Sequence, residues 1–133
     1  MHPALTELRE LGLERADHAL FGSGPLLVRG WIDEVGDLDV IARGTAWEQA
    51  QEIGELVHLD AYNVDIVEIG DMITVGTSWG YGDVDIDHLI DTAEDIDGIR
   101  CVQLQHVVAY KRVAARPKDL AHLDIIDQHA PGL

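Results

Sequence analysis

The chain has 133 residues, of which 47% are apolar and 26% charged, a balance that predicts one packed domain over residues 1–133. Its 25 acidic residues against 9 basic ones give a formal charge of −16, which argues against direct nucleic-acid coating or binding to an anionic membrane. We see no apolar run of the roughly 20 residues that a membrane span needs and no secretory leader. The single Cys101 excludes an internal disulfide. We therefore expect a soluble cytoplasmic protein with no membrane partner.

The first half of the chain alternates short apolar segments with turn signals. Leu5, Leu8 and Leu11 recur at helical spacing after Pro3, and Gly12 marks the end of that helix. In order, the predicted elements are a helix over 3–11, a strand over 19–21, a helix over 25–29, a strand over 37–41 and a helix over 45–53.

The second half is predicted as strands followed by helices. Two extended segments surround Gly70-Asp71, which is typical of a hairpin turn. In order, the predicted elements are strands over 64–69 and 72–75, a loop over 76–82, a helix over 85–96, an extended segment over 98–102 and helices over 104–113 and 117–128. Strands interrupted by helices predict an α/β or α+β fold.

One predicted strand carries two aspartates, which are two positions apart. Because residues two apart on a strand project from the same face, Asp37 and Asp39 place two carboxylates side by side. Such a pair repels unless a cation or a proton lies between its members. A hard divalent ion with oxygen ligands, above all Mg²⁺ with substrate phosphates, suits this pair.

A Gly-Ser turn lies between the first predicted strand and the short helix after it. The turn at Gly22 and Ser23 offers backbone N–H groups and a hydroxyl, which suit a phosphate. Metal-binding carboxylates together with a phosphate cradle indicate phosphoryl or nucleotidyl transfer.

The order of these motifs resembles the signature of the polymerase-β-like nucleotidyltransferase superfamily. Phe21-Gly22-Ser23 is followed, after thirteen residues, by the Asp-apolar-Asp-apolar pattern of residues 37–40. Residues 110–112 and 116–120, read as Tyr-Lys-Arg and Arg-Pro-Lys-Asp-Leu, are similar to the closing helices of small bacterial and archaeal nucleotidyltransferase-like proteins. The resemblance spans about residues 18–128 and implies a minimal nucleotidyltransferase fold, in which helices flank a small mixed sheet.

The resemblance also implies roles for individual residues. Gly22 and Ser23 would hold the triphosphate of an NTP, and Asp37 and Asp39 would coordinate Mg²⁺ or Mn²⁺ as the catalytic metal ligands. Lys111 would contact phosphate, unless the Arg-Pro-Lys-Asp turn is structural and pairs Asp119 with a nearby base.

Active members of the superfamily use a third carboxylate on a later strand to activate the acceptor hydroxyl. Thr74 stands where the best-matching segment of this chain would carry that acid. Glu68 and Asp65 also fit an apolar-acid-apolar pattern, but they face opposite sides of the preceding strand, so at most one of them serves. Three alternatives stay open: a catalytic Glu68, a catalytic Asp65, and a third carboxylate lost at Thr74.

Two functions follow from the resemblance. The first is transfer of a nucleoside monophosphate from an NTP to an unknown hydroxyl acceptor. The alternative is a non-catalytic protein of the same fold that binds a nucleotide or a protein partner, including a component of a toxin–antitoxin pair. Because the chain is too short for a separate acceptor-binding domain, a homodimer or a partner chain would complete the site.

One competing metal site is present in the sequence. Five acids at 83, 85, 87, 91 and 94 match the ligand positions of an EF-hand calcium loop, but His88 occupies the position that requires glycine. The same acids fit the wet face of the helix predicted over 85–96, which is the interpretation we favour.

Overall fold

The structure is a computed structural model that describes residues 1–78 and 85–133. Within those residues it contains seven strands and six helices. The strands are β1 His18–Phe21, β2 Leu38–Ala42, β3 Glu55–Leu59, β4 Val64–Ile69, β5 Ile73–Gly76, β6 Glu94–Ile96 and β7 Ile99–Cys101. The helices are α1 Pro3–Glu10, α2 Gly24–Val28, α3 Gly44–Ile53, α4 Ile86–Asp91, α5 Leu104–Ala114 and α6 Pro117–His129.

All the strands belong to one mixed sheet, in the order β3-β4-β5-β2-β1-β7-β6. The pairs β2–β5 and β1–β7 are parallel, and the other neighbours are antiparallel. This arrangement confirms the prediction of an α/β protein whose mixed sheet is flanked by helices. The two central strands, β1 and β2, lead directly to the Gly-Ser turn and the aspartate pair.

Helices cover both faces of the sheet because the strands present apolar side chains on both sides. On one face, Leu20, Val40 and Val75 belong to a buried cluster with apolar residues of α1 and α3. On the other face, Phe21 and Ile41 belong to a second cluster with residues of α4, α5 and α6. Burial of these side chains from water provides the main stabilising free energy.

The prediction of a helix over 85–96 is wrong for the second half of that range. Helix α4 ends at Asp91, and residues 94–96 form β6, which pairs with β7 through a two-residue turn. Asp97 and Gly98 both have positive φ, at 54° and 83°, as a tight primed turn requires. The turn is completed by the backbone N–H of Gly98, which donates to the Asp95 carboxylate at 2.9 Å.

The EF-hand acids have other partners in this fold, as far as the structure describes them. Asp87 and Asp91 both accept hydrogen bonds from Arg43, and Asp85 caps α4 by accepting from the backbone of His88. Asp83 lies outside the described residues, as does most of the loop predicted over 76–82. Asp85, Asp87 and Asp91 cap or belong to α4, as the favoured interpretation expects, but Glu94 lies on β6 and not on the predicted helix.

Strand β3 is an element that the sequence did not predict. It forms the edge of the sheet and pairs antiparallel with β4, from Glu55 opposite Glu68 to Leu59 opposite Val64. The β4–β5 hairpin around Gly70 confirms the predicted turn there. No helix among the described residues is long and apolar enough to cross a membrane.

Candidate functional site

The turn after β1 brings the backbone of Gly22 against the side chain of Asp39. Gly22 has a φ of 63°, a left-handed conformation that favours glycine. A β-carbon at this position would lie 3.0 Å from Asp39 Oδ2. The predicted Gly-Ser turn and the predicted aspartate pair are therefore neighbours, and only a glycine allows their close approach.

Asp39 lies on β2 and Asp37 immediately precedes that strand, which the sequence predicted to begin at Asp37. Asp39 stands opposite Phe21 on β1 and opposite Thr74 on β5, so these three side chains share one face of the sheet. Thr74 Oγ1 donates a hydrogen bond of 2.9 Å to Asp37 Oδ2. Both carboxylates thus belong to one small polar site at the centre of the sheet.

Asp39 is a poorly solvated carboxylate. Burial, followed by repulsion from Asp37, raises its pKa to about 7 from an ordinary value of 3.8. The cationic side chains of Lys118, Arg116 and Lys111 act in the opposite direction and are outweighed. Near neutral pH this site therefore gains stability from a bound cation or proton.

The two acids proposed as a third carboxylate lie one strand further out, on β4. Glu68 pairs with Thr74, which itself pairs with Asp39, so Glu68 is on the same face as Asp39 with Thr74 between them. Its side chain is exposed. Asp65 is on the opposite face, where its Oδ1 lies 2.8 Å from His58 Nδ1. The residue beside both aspartates is therefore Thr74.

Ser23, which follows Gly22 in the turn after β1, belongs to a tight polar cluster. Its Oγ accepts a hydrogen bond of 2.9 Å from Lys111 Nζ and lies 3.1 Å from His122 Nδ1. Lys111 Nζ also lies 3.1 Å from His122 Nδ1 and donates to Asp119 Oδ1 at 3.2 Å. The Lys111 ammonium is therefore surrounded by a hydroxyl, an imidazole and a carboxylate.

Lys111 is completely buried, so each of its contacts matters for its charge. Burial lowers the pKa of the ammonium, and the hydrogen bond to Asp119 opposes that shift. Because an ammonium can only donate, the Nδ1 that His122 turns toward it must be the unprotonated ring nitrogen. The proton of the neutral imidazole is then on Nε2.

Asp119 anchors this cluster to the turn between α5 and α6. Both Asp119 and Lys111 are fully buried, and Arg116 Nε donates to Asp119 Oδ2 at 2.7 Å. Burial acts to raise the pKa of Asp119, but the hydrogen bonds from Arg116 and Lys111 outweigh it and lower that pKa. The sequence left open whether the Arg-Pro-Lys-Asp turn is structural, with Asp119 paired to a nearby base. The structure contains this pairing, since Asp119 contacts both Lys111 and Arg116.

A cleft of about 270 Å³ is lined both by the aspartates and by members of this cluster. Its polar lining includes Ser23, Asp37, Asp39, Lys118 and His122. Lys111 does not line this cleft, because its Nζ points toward Ser23, Asp119 and His122.

His122 is the site residue that the sequence reasoning missed. It follows Asp119 by three residues on α6, so the two side chains lie on one face of that helix. That spacing is the only sequence signal for it. The contact with Ser23 joins residues 99 positions apart and depends on the packing of α5 and α6 against the sheet.

The carboxylate pair suits Mg²⁺ in its chemistry, since this ion is commonly held by one or two carboxylates together with substrate phosphates and waters. The partial desolvation of Asp39 is the feature that a cation would relieve. Within residues 1–78 and 85–133, no three His, Cys, Asp or Glu side chains converge as a complete protein metal site. Two carboxylates would supply only part of the coordination of Mg²⁺, which takes its other ligands from phosphates and waters.

No protein-family model, curated protein or solved structure matches this chain. What the site does is therefore inferred from its own residues and geometry.

Proposed function

We propose that the chain binds a nucleoside triphosphate with Mg²⁺ in this cleft and transfers the nucleoside monophosphate to a hydroxyl acceptor. The observation that supports the proposal is that two unlike groups line one cleft of about 270 Å³. One group is the Asp37–Asp39 pair, and the other comprises Ser23, His122 and Lys118. An anionic ligand with its own divalent cation satisfies both sides at once.

Each protein group has a definite task in this binding. The Ser23 hydroxyl and the Nε2–H of His122 are donors for phosphate oxygens, and Lys118 supplies a positive charge at the cleft wall. Lys111 and Asp119 hold Ser23 and His122 in place from beneath. When bound at Asp37 and Asp39, Mg²⁺ would neutralise charge on the phosphates and polarise the phosphorus under attack.

One observation favours the alternative of a non-catalytic nucleotide- or partner-binding protein. Thr74 occupies the position beside Asp37 and Asp39, where a third carboxylate would take the proton of an acceptor hydroxyl. A neutral threonine hydroxyl does not perform that task. A general base typically contributes about 10²–10⁴-fold in rate, so transfer to an external acceptor is expected to be slow.

Isothermal titration calorimetry with each of the four NTPs and Mg²⁺ tests the proposal. We expect binding by the wild type and an affinity about fivefold lower in Lys118→Met, whose charge lines the cleft. Arg112→Met is the matched control, since Arg112 is an exposed base on α5 that does not line the cleft. Absence of NTP binding, or equal losses in the two variants, would contradict the proposal.

Radiolabelled NTP then separates the enzyme from the binding protein. Transfer of label to a hydroxyl-bearing acceptor supports the enzyme. Binding without any transfer supports the alternative.

A further inference from the structure

We propose that Ser23 is an activated nucleophile and that its hydroxyl forms a covalent ester with phosphorus electrophiles in the cleft. His122 serves as its base and Lys111 as the donor that stabilises the oxygen. The expected natural electrophile is the α-phosphorus of the bound NTP, and this part of the inference depends on the proposed function.

The geometry around Ser23 meets the requirements for an activated hydroxyl. A nucleophile needs a base within hydrogen-bond reach, and that base needs another group to orient it. Ser23 Oγ lies 3.1 Å from His122 Nδ1, and Lys111 Nζ orients the same nitrogen from 3.1 Å. Lys111 Nζ also lies 2.9 Å from the Oγ itself.

The protonation states also suit this role. Because Lys111 can only donate, the nitrogen of His122 nearest to Ser23 carries a lone pair. Burial, followed by the positive charge of Lys111, lowers the pKa of His122, so the ring is neutral at pH 7 and the lone pair of its Nδ1 is shared between the Lys111 ammonium and the Ser23 hydroxyl, each 3.1 Å away. The buried ammonium then donates to the oxygen as negative charge develops there.

The step is balanced without any further reactant. The Oγ–Pα bond forms as the bond between Pα and the bridging oxygen breaks, pyrophosphate leaves, and the Oγ proton passes to His122 Nδ1. With diisopropyl fluorophosphate, the same oxygen displaces fluoride from phosphorus.

This arrangement complements the replacement of the third carboxylate by Thr74. The β5 position beside Asp37 and Asp39 is Thr74, which offers no carboxylate to an external hydroxyl. The hydroxyl of Ser23 lies within hydrogen-bond distance of an imidazole nitrogen. The chain is thus better equipped to accept a group on its own serine than to pass it to an external hydroxyl.

Mass spectrometry of the full chain tests the inference with two probes, diisopropyl fluorophosphate and NTP with Mg²⁺. The sequence contains two serines, so Ser78→Ala is the matched control for Ser23→Ala. We expect one adduct per chain, located at Ser23, with both probes. It should be absent in Ser23→Ala, retained in Ser78→Ala and formed at least about 10²-fold more slowly in His122→Gln.

The pH dependence separates a base from a merely structural histidine. In the wild type the rate of labelling should rise with pH as His122 loses its proton, and in His122→Gln that rise should disappear. Circular dichroism shows whether the His122→Gln protein is folded. If it is not, the same measurements are made on His122→Asn.

Four results are distinguishable, and three of them contradict the inference in whole or in part. No adduct at Ser23 with either probe, or an unchanged rate and pH profile in His122→Gln, refutes the activated serine. A fluorophosphate adduct without a nucleotidyl adduct, while calorimetry shows bound NTP, refutes NTP as the electrophile. A fluorophosphate adduct without NTP binding refutes the proposed function and leaves the nucleophile established.

Discussion

Substituting Lys111 with methionine removes a buried ammonium but leaves the buried carboxylate of Asp119 in place. Removing one member of a buried ion pair typically costs about 3–5 kcal/mol of unfolding free energy. Arg116 Nε still donates to Asp119 at 2.7 Å in this variant, so the carboxylate keeps one cationic partner. We therefore expect a loss at the lower end of that range, about 3 kcal/mol of unfolding free energy. With a urea m-value of about 1.5 kcal/mol/M, the unfolding midpoint falls by about 2 M.

Urea unfolding followed by circular dichroism measures this loss, with Lys118→Met as the matched control. Lys118 is the other lysine of the chain and is exposed, so its replacement should change stability by at most about 0.5 kcal/mol. The pKa of Asp119 is below its ordinary value, so its contribution is present above pH 3.8 and is lost as the pH falls through the folded-state pKa. The difference between wild type and Lys111→Met should therefore shrink in acid. Equal midpoints for the two lysine variants at pH 7 would refute the buried ion pair.

The remaining predictions concern the aspartate side of the cleft. Gly22→Ala and Gly12→Ala both place alanine at a positive φ, so each should cost about 1–2 kcal/mol of stability. Only Gly22→Ala should also weaken NTP–Mg²⁺ binding, because its new β-carbon would lie against Asp39, whereas the space around Gly12 is open. The pKa of Asp39 is raised from 3.8 to about 7, so the wild type loses stability as the pH rises through that interval. Without Mg²⁺, Asp39→Asn should therefore melt higher than wild type at pH 8 and lose most of that advantage at pH 5. If the third carboxylate is lost at Thr74, Thr74→Glu should increase transfer to an external hydroxyl without tightening NTP binding. If Glu68 is instead the general base, Glu68→Gln should abolish transfer. An Asp39→Asn protein with no such pH-dependent advantage would contradict the raised pKa.

The aspartate side of the site was predictable because local pattern determines it. Alternation along β2 puts Asp37 and Asp39 on one face whatever packs around them. The strand-turn-helix pattern at Gly22 likewise needs only a glycine followed by a proline-started helix. Short-range rules were sufficient for both features.

The serine side was not predictable, because it depends on contacts between distant segments. Lys111 was expected at a phosphate, yet its Nζ lies beneath Ser23, held by residues of α6. Whether an ammonium points into a cleft or into a core is decided by helix packing, which periodicity does not encode.

The errors in the fold have related causes. Apolar residues recur at helical spacing up to Ile96, but the Asp97-Gly98 turn joins residues 94–96 to β7 as a hairpin, and this pairing outweighs the local helical preference. Strand β3 lies at the edge of the sheet with Leu56 exposed, so it lacks the apolar pattern by which buried strands are recognised.

Mn²⁺-induced broadening of NMR signals, in the presence of NTP, tests the central claim most directly, because it locates the metal on a chain with 25 acidic residues. The account predicts that the signals of Ser23, Asp37, Asp39 and Thr74 broaden first, at substoichiometric Mn²⁺. In the double variant Asp37→Asn/Asp39→Asn this early broadening should vanish. Broadening that begins at other carboxylates, or that is identical in the double variant, would contradict a metal–nucleotide site in this cleft.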